Sequence, residues 1–248
     1  IEFRNLKFRY ATHLPWTLYD INLQIMPGQS VALLGRTGSG KSSLISLLQG
    51  YYDFEEGDIL IDHTSIKNFP KDRLRRKIGV VLQDPFLFKG TVAENISLGD
   101  PEITQERIAE AARLSCCDRI LQNRPQGLDT EVEERGSNFS LGERQLISFA
   151  RVLAFDPEIL ILDEATANID SESERLIQIA TEHLTKTRTS IIIAHRLSTI
   201  AHVDRVVVLS EGKIIEEGAP HELLKQRGHF YELHQAQAKS LNNEVLPN

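Results

Sequence analysis

Nine residues, Gly35 to Ser43 ("GRTGSGKSS"), satisfy the spacing G-x-x-x-x-G-K-[ST], which has a physical use. Glycines without a Cβ let backbone N–H groups curl around phosphate oxygens, and a helix N-terminus adds positive partial charge. In such a loop Lys41 reaches the β- and γ-phosphates and Ser42 offers a hydroxyl to Mg²⁺. The context is the one this chemistry needs: an apolar strand-like run ("SVALL") precedes and a helical run ("KSSLISLLQG") follows. A glycine-rich turn without ligand is the plainer reading, and that context speaks against it. Gly35, Arg36, Thr37, Gly38, Ser39, Gly40, Lys41, Ser42 and Ser43 are therefore expected to hold a nucleoside triphosphate.

A second group of reactive residues closes the run "ILILDEAT", Ile159 to Thr166. Paired carboxylates at the end of an apolar strand place Asp163 near a metal and leave Glu164 to polarise an attacking water. Alone, two such acids are commonly a solvated loop; beside a phosphate loop they read as catalytic. His195 follows another apolar run, "SIIIAHR", where it can hydrogen-bond a γ-phosphate, although spacing alone does not assign that role.

The elements that must carry these residues alternate. "IEFRNLKFRY", "INLQIMPGQSVALLG", "GDILIDH" and "KIGVVLQD" read as strands; "ITQERIAEAARLSCCDRIL" and "LGERQLISFARVLA" carry apolar residues at helical spacing,. Strands return in "EILILDEA", "TSIIIAHR" and "DRVVVLSEGKIIEEG", apolar almost throughout as burial on both faces requires,. A helical tail begins at His221. Parallel strands among helices with a helical insertion imply an α/β fold with a second lobe.

Composition narrows the classes. The 248 residues are 41% hydrophobic and 25% charged, an ordinary globular balance,. A net charge of −7 disfavours a sequence-independent grip on nucleic acid,. The basic run "KDRLRRK", Lys71 to Lys77, reads as a solvated helix face,. Cys116 and Cys117 are neighbours without a C-x-x-C partner, so neither a disulfide framework nor a zinc site follows, and a reducing setting fits,. No apolar run approaches the roughly 20 residues of a membrane-spanning helix. The chain starts directly in a strand-like pattern, as expected of a domain of a longer polypeptide.

Taken in order, these residues resemble the nucleotide-binding domains of ABC transporters over nearly the whole chain. The resemblance implies a P-loop NTPase (RecA-like) core with an antiparallel β subdomain and an inserted α-helical subdomain. It sets an ATP-binding core at 1–83 and 156–248 and a helical segment at 84–155. Tyr10 stands where the family has an aromatic that stacks on adenine. Gln83 in "VVLQDP" matches the glutamine that links the metal site to the helical lobe. Their plainer readings are a strand-edge tyrosine and an exposed polar residue. "SNFSLGERQ", Ser137 to Gln145, falls where the signature LSGGQ belongs; "ANID", Ala167 to Asp170, matches the D-loop; His195 matches the switch histidine. "TEVEERG", Thr130 to Gly136, and "FLFKGTVAENI", Phe86 to Ile96, resemble segments of exporter-type members, with Glu133 in place of a glycine.

The implied mechanism joins two such domains head to tail around two ATP molecules, each site pairing one P-loop with the other domain's signature. Glu164, His195 and Lys41 are then the catalytic residues, and Ser42, Gln83 and Asp163 hold Mg²⁺. Ser140, Gly142 and Glu143 meet the partner's nucleotide. The expected partners are a second nucleotide-binding domain and the transmembrane domains of an exporter, at the cytoplasmic face of a membrane; no nucleic acid is expected. A soluble ABC ATPase that remodels nucleic acid or ribosomes, and a non-hydrolysing regulatory domain, are the alternatives. Ser140 and Glu143 also form S-x-x-E, a helix capping box. Leu141 and Glu143 depart from the signature while the P-loop, Glu164 and His195 are intact, as in one half of some heterodimeric exporters; a homodimer that tolerates the changes stays open.

Overall fold

Phe3, Leu6 and Phe8 are all buried on strand β1 (Glu2–Phe8), although Phe3 and Leu6 are not an even number of residues apart. The extra residue is absorbed near Asn5, whose φ of 45° is left-handed, and the pairing with both neighbouring strands shifts register there,. This computed structural model describes residues 1–163, 169–186, 188–194, 200 and 202–244, with side chains to 236. Backbone contacts divide the chain into two units, Ile1–Arg75 with Thr189–Asn248, and Arg76–Arg188.

The first unit holds two sheets. One is antiparallel, in the order β2-β1-β4-β5, with β2 at Leu18–Gln24, β4 at Glu56–Ile61 and β5 at Thr64–Ser65. The other is centred on β3 (Ser30–Leu34), which runs parallel to both β10 (Thr189–Ile193) and β11 (Arg205–Ser210). Every residue of β3 is buried, which is why its sequence is apolar rather than alternating,. What the sequence presents as one run, "INLQIMPGQSVALLG", is two strands of different sheets. Pro27 and Gly28 (φ 74°) turn the chain between them, with the Gln29 N–H donating to the Met26 carbonyl at 3.0 Å,. Likewise "DRVVVLSEGKIIEEG" is an antiparallel hairpin of β11 and β12 (Lys213–Gly218), turned at Glu211 and Gly212, both at positive φ,. The tail forms α8 (Pro220–Gln226) and α9 (His229–Glu244).

The second unit pairs β6 (Ile78–Val81) in parallel with β9 (Ile159–Asp163), and the short β7 (Gly90–Thr91) and β8 (Glu131–Val132) antiparallel with each other. Its helices are α3 (Val92–Ser97), α4 (Gln105–Leu114), α5 (Cys117–Leu121), α6 (Leu141–Phe155) and α7 (Ser171–Thr185). Helix α6 packs against α3, α4 and α7. It buries Leu146, Phe149, Ala150 and Leu153 at three- and four-residue spacing, and each large apolar side chain so buried is worth roughly 1.5–3 kcal/mol. Starts are capped: Thr91 with Glu94 and Ser140 with Glu143 form capping boxes, and Thr104 and Asp170 cap α4 and α7,. The single helical run expected across Ile103 to Leu121 breaks at Cys116, which takes φ 59°. Both cysteines are free thiols, and burial raises the pKa of each. Helix α2 (Lys71–Lys77) buries only Leu74, so its basic face is the solvated one expected.

The contact unit is wider than the helical segment 84–155 read from the sequence. Strands β6 and β9 pair with each other and α7 packs on α6, so these elements cluster with the helices. Among the described residues no helix is long and apolar enough to cross a membrane.

Candidate functional site

Strand β3 delivers the chain to Gly35, where φ is 145° and an added Cβ would lie 2.2 Å from the Leu209 carbonyl oxygen. The Ser39 N–H closes a turn on the Arg36 carbonyl at 3.0 Å, and the Ser39 carbonyl accepts from Gly212 N–H at 3.1 Å. The turn then enters α1 (Lys41–Leu48) through Gly40, at φ 107°. A helix leaves its first N–H groups without intrahelical acceptors, and a glycine N-cap brings no side chain to satisfy them. Lys41 is 8% exposed, and its ammonium donates to the carbonyls of Gly35 at 2.7 Å and Arg36 at 3.2 Å. Loop, helix start and ammonium thus present converging donors and positive charge, which fits a polyphosphate.

Tyr10 belongs to the same place. Its hydroxyl is 2.8 Å from the Ser43 hydroxyl on the first turn of α1. Its ring stands edge-on to Phe8 (centroids 4.9 Å apart) and to Tyr52 (5.2 Å), with half the residue exposed. An anchored aromatic with free surface beside a phosphate loop suits stacking on a base. A cavity of about 530 Å³ also borders residues 35–39, with Arg36 and His229 as well as Glu211 and Glu232 in its lining.

Ser42 is exposed, Gln83 is exposed just after β6, and Asp163 is half-buried at the end of β9. A hydroxyl, an amide oxygen and a carboxylate are hard oxygen donors of the kind Mg²⁺ prefers. Ser42 belongs to the first unit, and Gln83 and Asp163 to the second. Glu164, His195 and the first half of "ANID" lie outside the described residues. Of the D-loop, Asp170 accepts from the Ser173 N–H at 2.9 Å, and that backbone hydrogen bond holds its carboxyl below the usual carboxylate range.

Glu143 lies on the first turn of α6 in the signature-like segment. Its Oε2 accepts the Ser140 N–H at 2.8 Å, the Ser140 hydroxyl accepts the Glu143 N–H at 3.2 Å, and Oε1 accepts from Arg124 Nη2 at 3.3 Å. The carboxylate is turned back on its own helix. Gly142 also has a packing reason, beside its place in the motif: an added Cβ would sit 2.5 Å from Ser173 Cβ of α7. Gly142→Ala is expected to cost about 1–2 kcal/mol by overpacking, outweighing the roughly 0.5–1 kcal/mol that alanine gains over glycine in a helix. Chemical denaturation checks this; a stabilised variant would show that Ser173 yields freely.

Glu133 takes φ −72° and ψ 174°, extended backbone that requires no glycine, and its carboxylate accepts from the Ser137 hydroxyl at 3.0 Å. Asn138 ties the same loop down, donating to the Glu131 carbonyl and accepting from the Glu133 N–H. In "FLFKGTVAENI", buried Asn95 bonds both the N–H and the carbonyl of Phe88 at 2.8 Å. Phe86 and Phe88 meet edge to face, each about half exposed. A cavity of about 530 Å³ lies among Asp84, Phe86, Arg135 and Arg144. Arg124 was not legible as a site residue: nothing in "QNRPQG" points to a carboxylate on a later helix.

An α/β P-loop domain with a capped helical segment defines a class, the P-loop nucleotide-binding proteins. The model of the family described as "ABC transporter" matches residues 18–167. The chain belongs to that family, and so to its ATP-binding, ATP-hydrolysing domains. It is 48% identical over 237 residues to the "Probable multidrug resistance ABC transporter ATP-binding/permease protein YheH" of Bacillus subtilis (strain 168), covering 96% of this chain and 35% of that protein. It is 46% identical over 237 residues to the "Putative multidrug export ATP-binding/permease protein SAOUHSC_02003" of Staphylococcus aureus (strain NCTC 8325 / PS 47), covering 96% and 41% respectively. Among solved structures, "Structure of a bacterial Atm1-family ABC exporter with ATP bound" superimposes with a TM-score of 0.87 at 38% identity, covering 96% of this chain and 41% of that one. The chain thus spans 35–41% of the length of these relatives.

Proposed function

We propose that this chain is the motor domain of a bacterial exporter, using ATP binding and hydrolysis at the cytoplasmic face of a membrane to drive attached transmembrane domains. The observation that carries the reading is the loop Gly35–Ser43, shaped by Gly35 and Gly40 and tied by the Lys41 ammonium at the start of α1. Tyr10 stacks on adenine, the loop N–H groups and Lys41 hold the phosphates, and Ser42, Gln83 and Asp163 supply oxygens to Mg²⁺. The metal, when bound, offsets negative charge on the β- and γ-phosphates. Glu164 orients water on the γ-phosphate and His195 hydrogen-bonds it. The relatives named as ATP-binding/permease proteins support the attachment to a permease. The exposed Phe86 and Phe88 and the braced loop 130–138 are the surfaces proposed to receive its movement.

Ser140 and the start of α6 meet the nucleotide of a second nucleotide-binding domain. Leu141 and Glu143 alter that contact while the chain's own P-loop is regular, which favours a heterodimer in which this chain completes the partner's weaker site. One comparison tests both levels. The intact transporter hydrolyses ATP in a Mg²⁺-dependent manner that chelation abolishes, and the purified chain alone turns over slowly. An intact transporter without turnover sinks the motor assignment; brisk cooperative hydrolysis by this chain alone sinks the heterodimer.

A further inference from the structure

Glu143 puts a carboxylate on the first turn of α6, the turn that the proposed function aims at a partner's triphosphate. An uncompensated negative charge there opposes the ligand. Arg124, on the loop after α5, meets it with Nη2 at 3.3 Å, and the same nitrogen donates to the Asn138 carbonyl at 3.3 Å. The guanidinium also lies over the ring of buried Phe139, 4.0 Å from its centroid. One side chain therefore stacks on the segment leading into α6, bonds its backbone and pairs with the acid on its first turn. Stacking plus directed donors restrict a guanidinium to few conformations. The Arg124 and Glu143 side chains are only 26% and 22% exposed, so the pair is screened less than a surface pair,.

We propose that Arg124 is a positioning residue for the nucleotide contact of this segment. It holds Glu143 back on its own helix and cancels its charge, so that the Ser140 hydroxyl and the N–H groups of the first turn face the phosphates. The Ser140 oxygen already accepts the Glu143 N–H at 3.2 Å, which leaves the hydroxyl proton to donate. The proposal rests on the reading that Ser140 meets a partner's ATP.

The test is ATP affinity at the site this segment completes, read by photolabelling of the partner's P-loop with an azido-ATP in the intact transporter carrying wild-type sequence, Arg124→Gln, Glu143→Gln, or both, with MgATP turnover followed alongside. Glutamine at 124 keeps length and hydrogen-bonding capacity and removes charge. R124Q is expected to weaken ATP binding at that site about tenfold against wild type, and less than about twofold when introduced beside E143Q, where no charge is left to cancel. Arg124→Lys, which keeps the charge without the fork, loses less than R124Q. Equal losses in both backgrounds, no loss in either, or equal losses for R124K and R124Q overturn the proposal. Should R124Q fail to fold, R124K and its double with E143Q carry the same comparison. A wild-type transporter without turnover overturns the functional reading and the proposal together; normal turnover with labelling in which R124Q acts independently of E143Q overturns the proposal alone.

Discussion

Lys41→Ala is expected to weaken ATP binding about 100-fold and to reduce turnover below detection. The lysine is nearly buried and its ammonium donates to the Gly35 and Arg36 carbonyls, so it has two duties. It holds the loop in shape, and in the proposed function it brings a full positive charge to the phosphates. A charge-assisted hydrogen bond is worth roughly 1.5–3 kcal/mol, and a factor of 100 corresponds to about 2.8 kcal/mol, so the loss of one such contact accounts for the binding defect. The turnover defect is larger because the charge on the transferring group is also left unbalanced. Calorimetric titration with ATP reads the first effect and phosphate release the second. Affinity within threefold of wild type would remove Lys41 from the phosphate contact. Lys41→Arg is expected to fail as well, since a planar fork does not replace a compact ammonium in a closed loop.

Glu164→Gln is expected to separate binding from chemistry. In the proposed function binding relies on the P-loop and Tyr10, which the substitution leaves untouched, so affinity for ATP is expected to stay within about twofold. Turnover falls by about 10²–10⁴, the usual contribution of a general base. Glutamine has nearly the shape of glutamate and cannot accept the proton of the attacking water. The nucleotide-bound protein should accumulate as a dimer with its partner, visible by size-exclusion chromatography in ATP. Turnover at the wild-type rate would take Glu164 out of the role of base, and lost binding would show that it serves the fold instead.

Much of this protein was legible before its fold was known. The P-loop spacing dictated a strand, a tight turn and a helix start, and these are β3, the turn at Gly35–Gly40 and α1. Fully apolar runs became buried strands because no polar face had to be provided for,. The S-x-x-E pattern at Ser140 and Glu143 became a reciprocal cap because both hydrogen bonds lie within one turn,. Such features follow from residues a few positions apart, whose geometry the backbone itself imposes.

Other features were decided only by tertiary structure. "INLQIMPGQSVALLG" carries a Pro-Gly turn signal, but that its halves pair with different strands in two sheets is set by the tertiary structure,. Gly142 reads as part of a ligand motif, yet the distance that excludes a Cβ is to Ser173 of another helix. The direction of Glu143 depended on Arg124, 19 residues earlier, and no period or spacing links a loop arginine to a carboxylate on a later helix. The sequence alone determined that this protein holds a triphosphate, because that chemistry is written in consecutive residues. Folding decided how the altered signature manages its charge, because that depends on side chains brought together by packing.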